Sequence, residues 1–121
     1  MSKKINIAIV QTSIKWEDTK GNLNNYDQII NSINPGVDII FFPEMFNTGF
    51  SMNVEKIAES MDGLTVSWLK NCALTKNVCV VATLAVKENK NFYNRLVWAY
   101  PNGKITLYDK RHTFTLAGES K

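Results

Sequence analysis

At the start of the chain Ile5, Ile7 and Ile9 alternate with Asn6, Ala8 and Val10. β-Branched residues at every second position predict a strand over 5–10 with both faces at least partly apolar. Gln11-Thr12-Ser13 leaves that strand, and Asp18-Thr19-Lys20-Gly21-Asn22 supplies turn and helix-capping chemistry. Leu23, Tyr26, Ile29, Ile30 and Ile33 then fall on one face of a helix, which Asn34-Pro35-Gly36 ends. The nearly continuous apolar run over 37–43 predicts a second strand, covered on both faces as in a parallel sheet. The opening is a βαβ unit, for which a right-handed crossover is expected.

A loop over 44–53 follows, then a short helix over 55–60 and a longer one over 65–76, with Val66, Leu69, Cys72, Ala73 and Lys76 along one side. Strands are predicted over 78–86, 92–100 and 104–109, separated by the polar turn Glu88-Asn89-Lys90-Asn91 and by Pro101-Asn102-Gly103. The order β-α-β-(α)-α-β-β-β, with an irregular tail after 109, places the chain in the α/β class. The expected architecture is a mixed sheet with flanking helices. There is no internal repeat or linker.

Composition narrows the classes. The 121 residues are 45% hydrophobic and 21% charged, which excludes collagen-like, low-complexity and disordered chains. Fourteen basic and 11 acidic residues give a net charge of +3. The longest basic cluster is Lys110-Arg111-His112, so no nucleic-acid partner is expected. No apolar run reaches membrane-spanning length, and the start Met1-Ser2-Lys3-Lys4 carries no export signal; a cytoplasmic location and no membrane partner are expected. Cys72 and Cys79 are too few for a disulfide scaffold, and with one histidine they make no metal site.

Candidate chemistry gathers where open α/β sheets place it, beyond the carboxyl ends of parallel strands. Glu44 follows the second strand directly and Lys110 ends the last one. If those strands are neighbours, the two side chains face each other across one crevice as a general base and an electrostatic helper. A loop salt bridge or a helix-start carboxylate fits the same positions, and spacing alone does not choose.

Three stretches carry a family resemblance: the strand over 5–11, the block Phe42-Pro43-Glu44-Met45-Phe46-Asn47-Thr48-Gly49-Phe50, and the block Tyr108-Asp109-Lys110-Arg111-His112-Thr113-Phe114. Together they resemble the nitrilase superfamily of carbon–nitrogen hydrolases, and within it the bacterial omega-amidase-like branch, over essentially the whole chain. The resemblance implies that Glu44 is the general base, Lys110 the catalytic lysine, and Glu119 a second glutamate that positions the substrate or the lysine. It implies that Phe46 and Phe50 line the pocket mouth with His112 nearby, and it makes Arg111 a candidate for holding a distal carboxylate. The implied fold is half of a four-layer αββα sandwich, with 1–121 the N-terminal part of a single carbon–nitrogen hydrolase domain. The implied reaction is hydrolysis of small dicarboxylate monoamides, such as 2-oxoglutaramate or 2-oxosuccinamate, through a cysteine thioester. No cofactor is expected, and a homodimer is.

The cysteine of that chemistry lies beyond the lysine in the family, in a block resembling Cys-Tyr-Asp-Leu-Arg, and this chain has no such block. Cys72 and Cys79 both precede Lys110 and read as small buried hydrophobes. The chain alone is therefore expected to be inactive, with an apolar sheet surface that aggregates, dimerises or binds the missing half. Asn94 and Arg95 read as sheet-face residues, and Met45 and Met52 as pocket walls. The competing class is a non-catalytic α/β binding or assembly module. A cysteine downstream of Lys121, behind a β-branched strand, distinguishes the enzyme from the module.

Overall fold

A computed structural model describes residues 4–111 of the chain. The predicted element order is present: β1 (Ile7–Ile9), α1 (Thr19–Asn31), β2 (Ile39–Phe41), α2 (Val54–Ile57), α3 (Leu64–Lys76), β3 (Cys79–Glu88), β4 (Asn91–Ala99) and β5 (Ile105–Arg111). The strands form one five-stranded sheet in the order β1-β2-β3-β4-β5. The first three are parallel, and β4 and β5 are added as antiparallel hairpins.

Local chemistry sets the boundaries. Asp18 caps α1 by accepting the Gly21 N–H at 3.0 Å. Gly63 offers α3 no side-chain cap; Glu59 takes that role, accepting the Thr65 N–H at 2.8 Å and its hydroxyl at 2.5 Å. Asn77 ends α3 in the left-handed conformation, φ 56°. Between β3 and β4, Asn89 and Lys90 both have positive φ, as a two-residue hairpin turn matched to strand twist requires.

One face of the sheet carries the core. Val80, Ala82, Leu84 and Val86 of β3, with Val97 and Ala99 of β4, pack against Leu23, Tyr26 and Ile30 of α1 and Val66, Leu69 and Ala73 of α3. Trp68, also on α3, adds an aromatic cluster with Tyr26, Phe42 and Phe46. On the opposite face Met45, Ile57 and Ala85 form a smaller buried cluster, and Val81, Thr83 and Asn94 are buried as well. Toward β1 and β5, among the described residues, that face is open: Ile9 is 69% exposed and Ile7 and Tyr108 are also exposed, while Phe41 and Trp98 meet edge to face at 6.2 Å. Among the described residues, apolar sheet surface is therefore exposed, and β2, expected to be covered on both faces, is buried only at Ile40.

Candidate active site

Glu44 lies just beyond the C-terminal end of β2, and Lys110 lies near the end of β5. Their strands are not neighbours, because β3 and β4 lie between them. The two side chains nevertheless meet: Lys110 Nζ donates to Glu44 Oε1 at 2.9 Å and to Oε2 at 2.5 Å. Two features permit the contact. The loop after Glu44 turns against β3, where the Met45 N–H donates to Thr83 Oγ1 at 2.8 Å. On the other side the β4–β5 register shifts at Asn94/Arg95, so that Arg95 opposes Asp109, Asn94 opposes Arg111, and Lys110 is the unopposed residue. Bulges of this kind re-aim a side chain.

Both partners are partly open, with side-chain exposures of 35% for Glu44 and 38% for Lys110. A carboxylate and an ammonium in one half-open site supply a proton acceptor and a fixed positive charge. Arg95 holds the bulge from the other face of the sheet. It is buried, forks onto Asp109 at 2.6 and 3.1 Å, bonds Glu88 at 2.5 Å, and lies over the Tyr93 ring. These carboxylates, Asp109 foremost, raise the guanidinium pKa further above its usual value against the opposing effect of burial.

The loop from Glu44 to Asn53 is fastened from several elements. The Tyr26 hydroxyl donates to the Phe46 carbonyl at 2.7 Å, and Asn22 Nδ2 donates to the Asn47 carbonyl at 2.8 Å. Asn47 Nδ2 reaches Thr65 Oγ1 at 3.1 Å, and the Glu17 N–H donates to the Thr48 carbonyl at 2.8 Å. Gly49 sits at φ +80° against the Trp16 ring, where a Cβ would approach that ring to 3.3 Å; glycine serves both demands.

The sequence-predicted pocket residues separate. Phe50 is exposed, at 59%. Phe46 does not fit that place. It is 0% exposed, with its ring 5.1 Å from both Tyr26 and Phe42, because the loop turns this side chain into the helix–sheet core. Met45 is likewise fully buried and is no open pocket wall, whereas Met52 is exposed. Arg111 belongs to the backbone of β5, and His112 and Glu119 lie outside the described residues.

Neither thiol is near Glu44. Cys72 is buried in the α3 core, and burial, helped by Asp27 and opposed by Lys76, pushes it up to about 11. Cys79 begins β3, opposite Ile39 at the start of β2, and so marks the other end of the parallel strands. Among the described residues no group of three or more His, Cys, Asp or Glu could hold a metal ion, and no helix is long and apolar enough to cross a membrane.

Residue types alone do not expose the residues that fasten the loop. The available signals are Thr83, a lone hydroxyl in Val80-Val81-Ala82-Thr83-Leu84-Ala85-Val86, and Glu59, placed just ahead of a helix start that lacks a capping side chain.

Comparison with known proteins places the chain in a family. The sequence profile described as Carbon-nitrogen hydrolase matches residues 6–121. The chain is 32% identical over 115 residues to the omega-amidase YafV of Yersinia enterocolitica, covering 95% of this chain and 44% of that protein. It is 29% identical over 119 residues to the 2-oxoglutaramate amidase of Bacillus subtilis, covering 96% of this chain and 46% of that protein. The chain thus spans about half the length of these curated relatives. Among solved structures it resembles XC1258 of Xanthomonas campestris, a CN-hydrolase superfamily protein, with a TM-score of 0.86 and 34% identity over 92% of this chain and 42% of that one. With this fold, and with a profile match over nearly its whole length, the chain belongs to the carbon–nitrogen hydrolase family, whose N-terminal half it resembles.

Proposed function

We propose that this chain supplies the base and the lysine of an amidase that hydrolyses small dicarboxylate monoamides such as 2-oxoglutaramate to ammonia and the acid. The observation that carries the reading is the Lys110–Glu44 pair, drawn together across two intervening strands and left half open. In this reading Glu44 accepts the proton of a cysteine thiol as the sulfur attacks the amide carbonyl. Glu44 then delivers that proton to the departing ammonia, and afterwards takes a proton from the water that opens the thioester. The Lys110 ammonium faces the oxyanion of each tetrahedral intermediate. Phe50 stands at the mouth with His112 nearby, Arg111 is a candidate for the substrate's distal carboxylate, and Glu119 positions the substrate or the lysine.

The attacking thiol comes from outside this chain, since Cys72 is buried and Cys79 lies at the far end of the strands. The open sheet face supports the same view. Ile7 and Ile9 of β1 and Tyr108 of β5 leave apolar surface there that a further layer of protein would cover. The 1–121 chain alone is accordingly inactive, and the whole enzyme works as a homodimer in a compartment that keeps thiols reduced.

The test is ammonia release from 2-oxoglutaramate and 2-oxosuccinamate by the protein expressed from its own gene, beside the purified 1–121 chain. Turnover by the former, abolished by thiol alkylation, and none by the latter is the expected result. Turnover by 1–121 alone, or turnover indifferent to alkylation, refutes the reading.

A further inference from the structure

The backbone enters the left-handed region at the residue after Glu44. Met45 has φ +51° and is fully buried, although it is neither glycine nor asparagine. A side chain held in the left-handed region is strained, and such strain persists only where the surroundings over-determine it. The Thr83 hydroxyl fastens this turn, accepting the Met45 N–H at 2.8 Å within the interior. Tyr26 and Asn22 act further along, on the carbonyls of Phe46 and Asn47. Among the described residues, Thr83 supplies the side-chain hydrogen bond to the backbone unit that directly follows Glu44.

The position of Thr83 gives packing no reason for a hydroxyl. It lies in the middle of β3, in a buried run otherwise made of valine, alanine and leucine. Valine has nearly the same shape and a higher liking for such a strand, and differs chiefly in lacking the oxygen. With valine there, the Met45 N–H is buried without an acceptor, and the strained turn loses its restraint.

We propose that Thr83 is a positioning residue: by holding Met45 in its left-handed turn, it aims the Glu44 carboxylate at Lys110. The proposal rests on the reading of Glu44 as the base, and its test separates the two. In the protein expressed from its own gene, Thr83→Val is expected to lower kcat for amide hydrolysis by about 10- to 100-fold, with KM changed by no more than about twofold. Thr83→Ser, which keeps the acceptor, is expected to restore kcat to within about threefold. Crystal structures of the two variants are expected to show the Lys110–Glu44 pair opened beyond about 4 Å in valine and closed in serine. Amide exchange at Met45 is expected to quicken in valine alone. If Thr83→Val does not fold, Thr83→Ala carries the same expectations. A Val or Ala variant that keeps the pair closed overturns the proposal whatever its kcat, and so does a folded serine variant that fails to restore activity. If the unsubstituted protein hydrolyses no amide, the functional reading falls, and the geometry of the pair in the variants still decides the role of Thr83.

Discussion

Lys110 and Glu44, 66 residues apart in sequence, are joined by two N–H···O bonds of 2.9 and 2.5 Å. The loop turn at Met45 and the bulge at Lys110 both serve this contact. A pair this open adds little to stability, about 0–1 kcal/mol, because water screens both charges. Lys110→Met is therefore expected to leave the urea unfolding midpoint nearly unchanged while lowering kcat by about 10²- to 10³-fold. Equal losses in stability and activity would instead mark a structural salt bridge.

Arg95 and Asp109 pin the bulge from the helix-bearing face. Asp109→Asn leaves a buried guanidinium with Glu88 as its charged partner. Since Asp109 is itself partly open, the expected cost is about 1–2 kcal/mol rather than that of a fully buried pair. Arg95→Lys is expected to destabilise as well, because an ammonium cannot fork onto Asp109. Urea titrations of both variants check this.

Phe46 contributes packing. Its ring contacts Tyr26, Phe42 and Trp68 in the core, so Phe46→Ala is expected to cost about 3–5 kcal/mol. An unchanged unfolding midpoint accompanied by a raised KM would return Phe46 to the pocket.

Glu17 ties the far end of the same loop. Its carboxylate accepts from Lys56 at 2.8 Å and from the Ser51 hydroxyl at 2.5 Å. These bonds, that from Lys56 first, hold its pKa below the ordinary value of 4.5 against a smaller effect of burial. With the folded value depressed, the unfolded chain binds the proton more readily. The stabilisation is full above the ordinary value and fades as pH falls through the folded one. The Tm difference between the unsubstituted protein and Glu17→Gln is thus expected to shrink as the pH falls below the ordinary value of 4.5. A constant difference would contradict this assignment.

The element order was legible because the driving signals are local. Leu23, Tyr26, Ile29, Ile30 and Ile33 mark a helix face by period alone, and the short apolar run ahead of Glu44, bounded by Pro35-Gly36 and Pro43, marks a strand. The direction of Phe46 was not legible, since a loop has no period to say which side chain turns inward. The meeting of Glu44 with Lys110 does not rest on adjacent strands, the condition under which the sequence alone lets them face each other. It comes instead from a bulge and a left-handed residue, and neither leaves a mark in composition. Family likeness in the blocks around Glu44 and Lys110 identified the pair, and tertiary geometry explains how it forms.

The most direct test of the central claim is the initial rate of ammonia release from 2-oxoglutaramate by the protein expressed from its own gene, compared with its Glu44→Gln variant. Glutamine keeps the size of the side chain and cannot accept the thiol proton. Turnover by the unsubstituted protein and a fall of about 10²-fold or more in the variant is the predicted result. Ammonia release that survives Glu44→Gln, or its absence from the unsubstituted protein, would contradict the account.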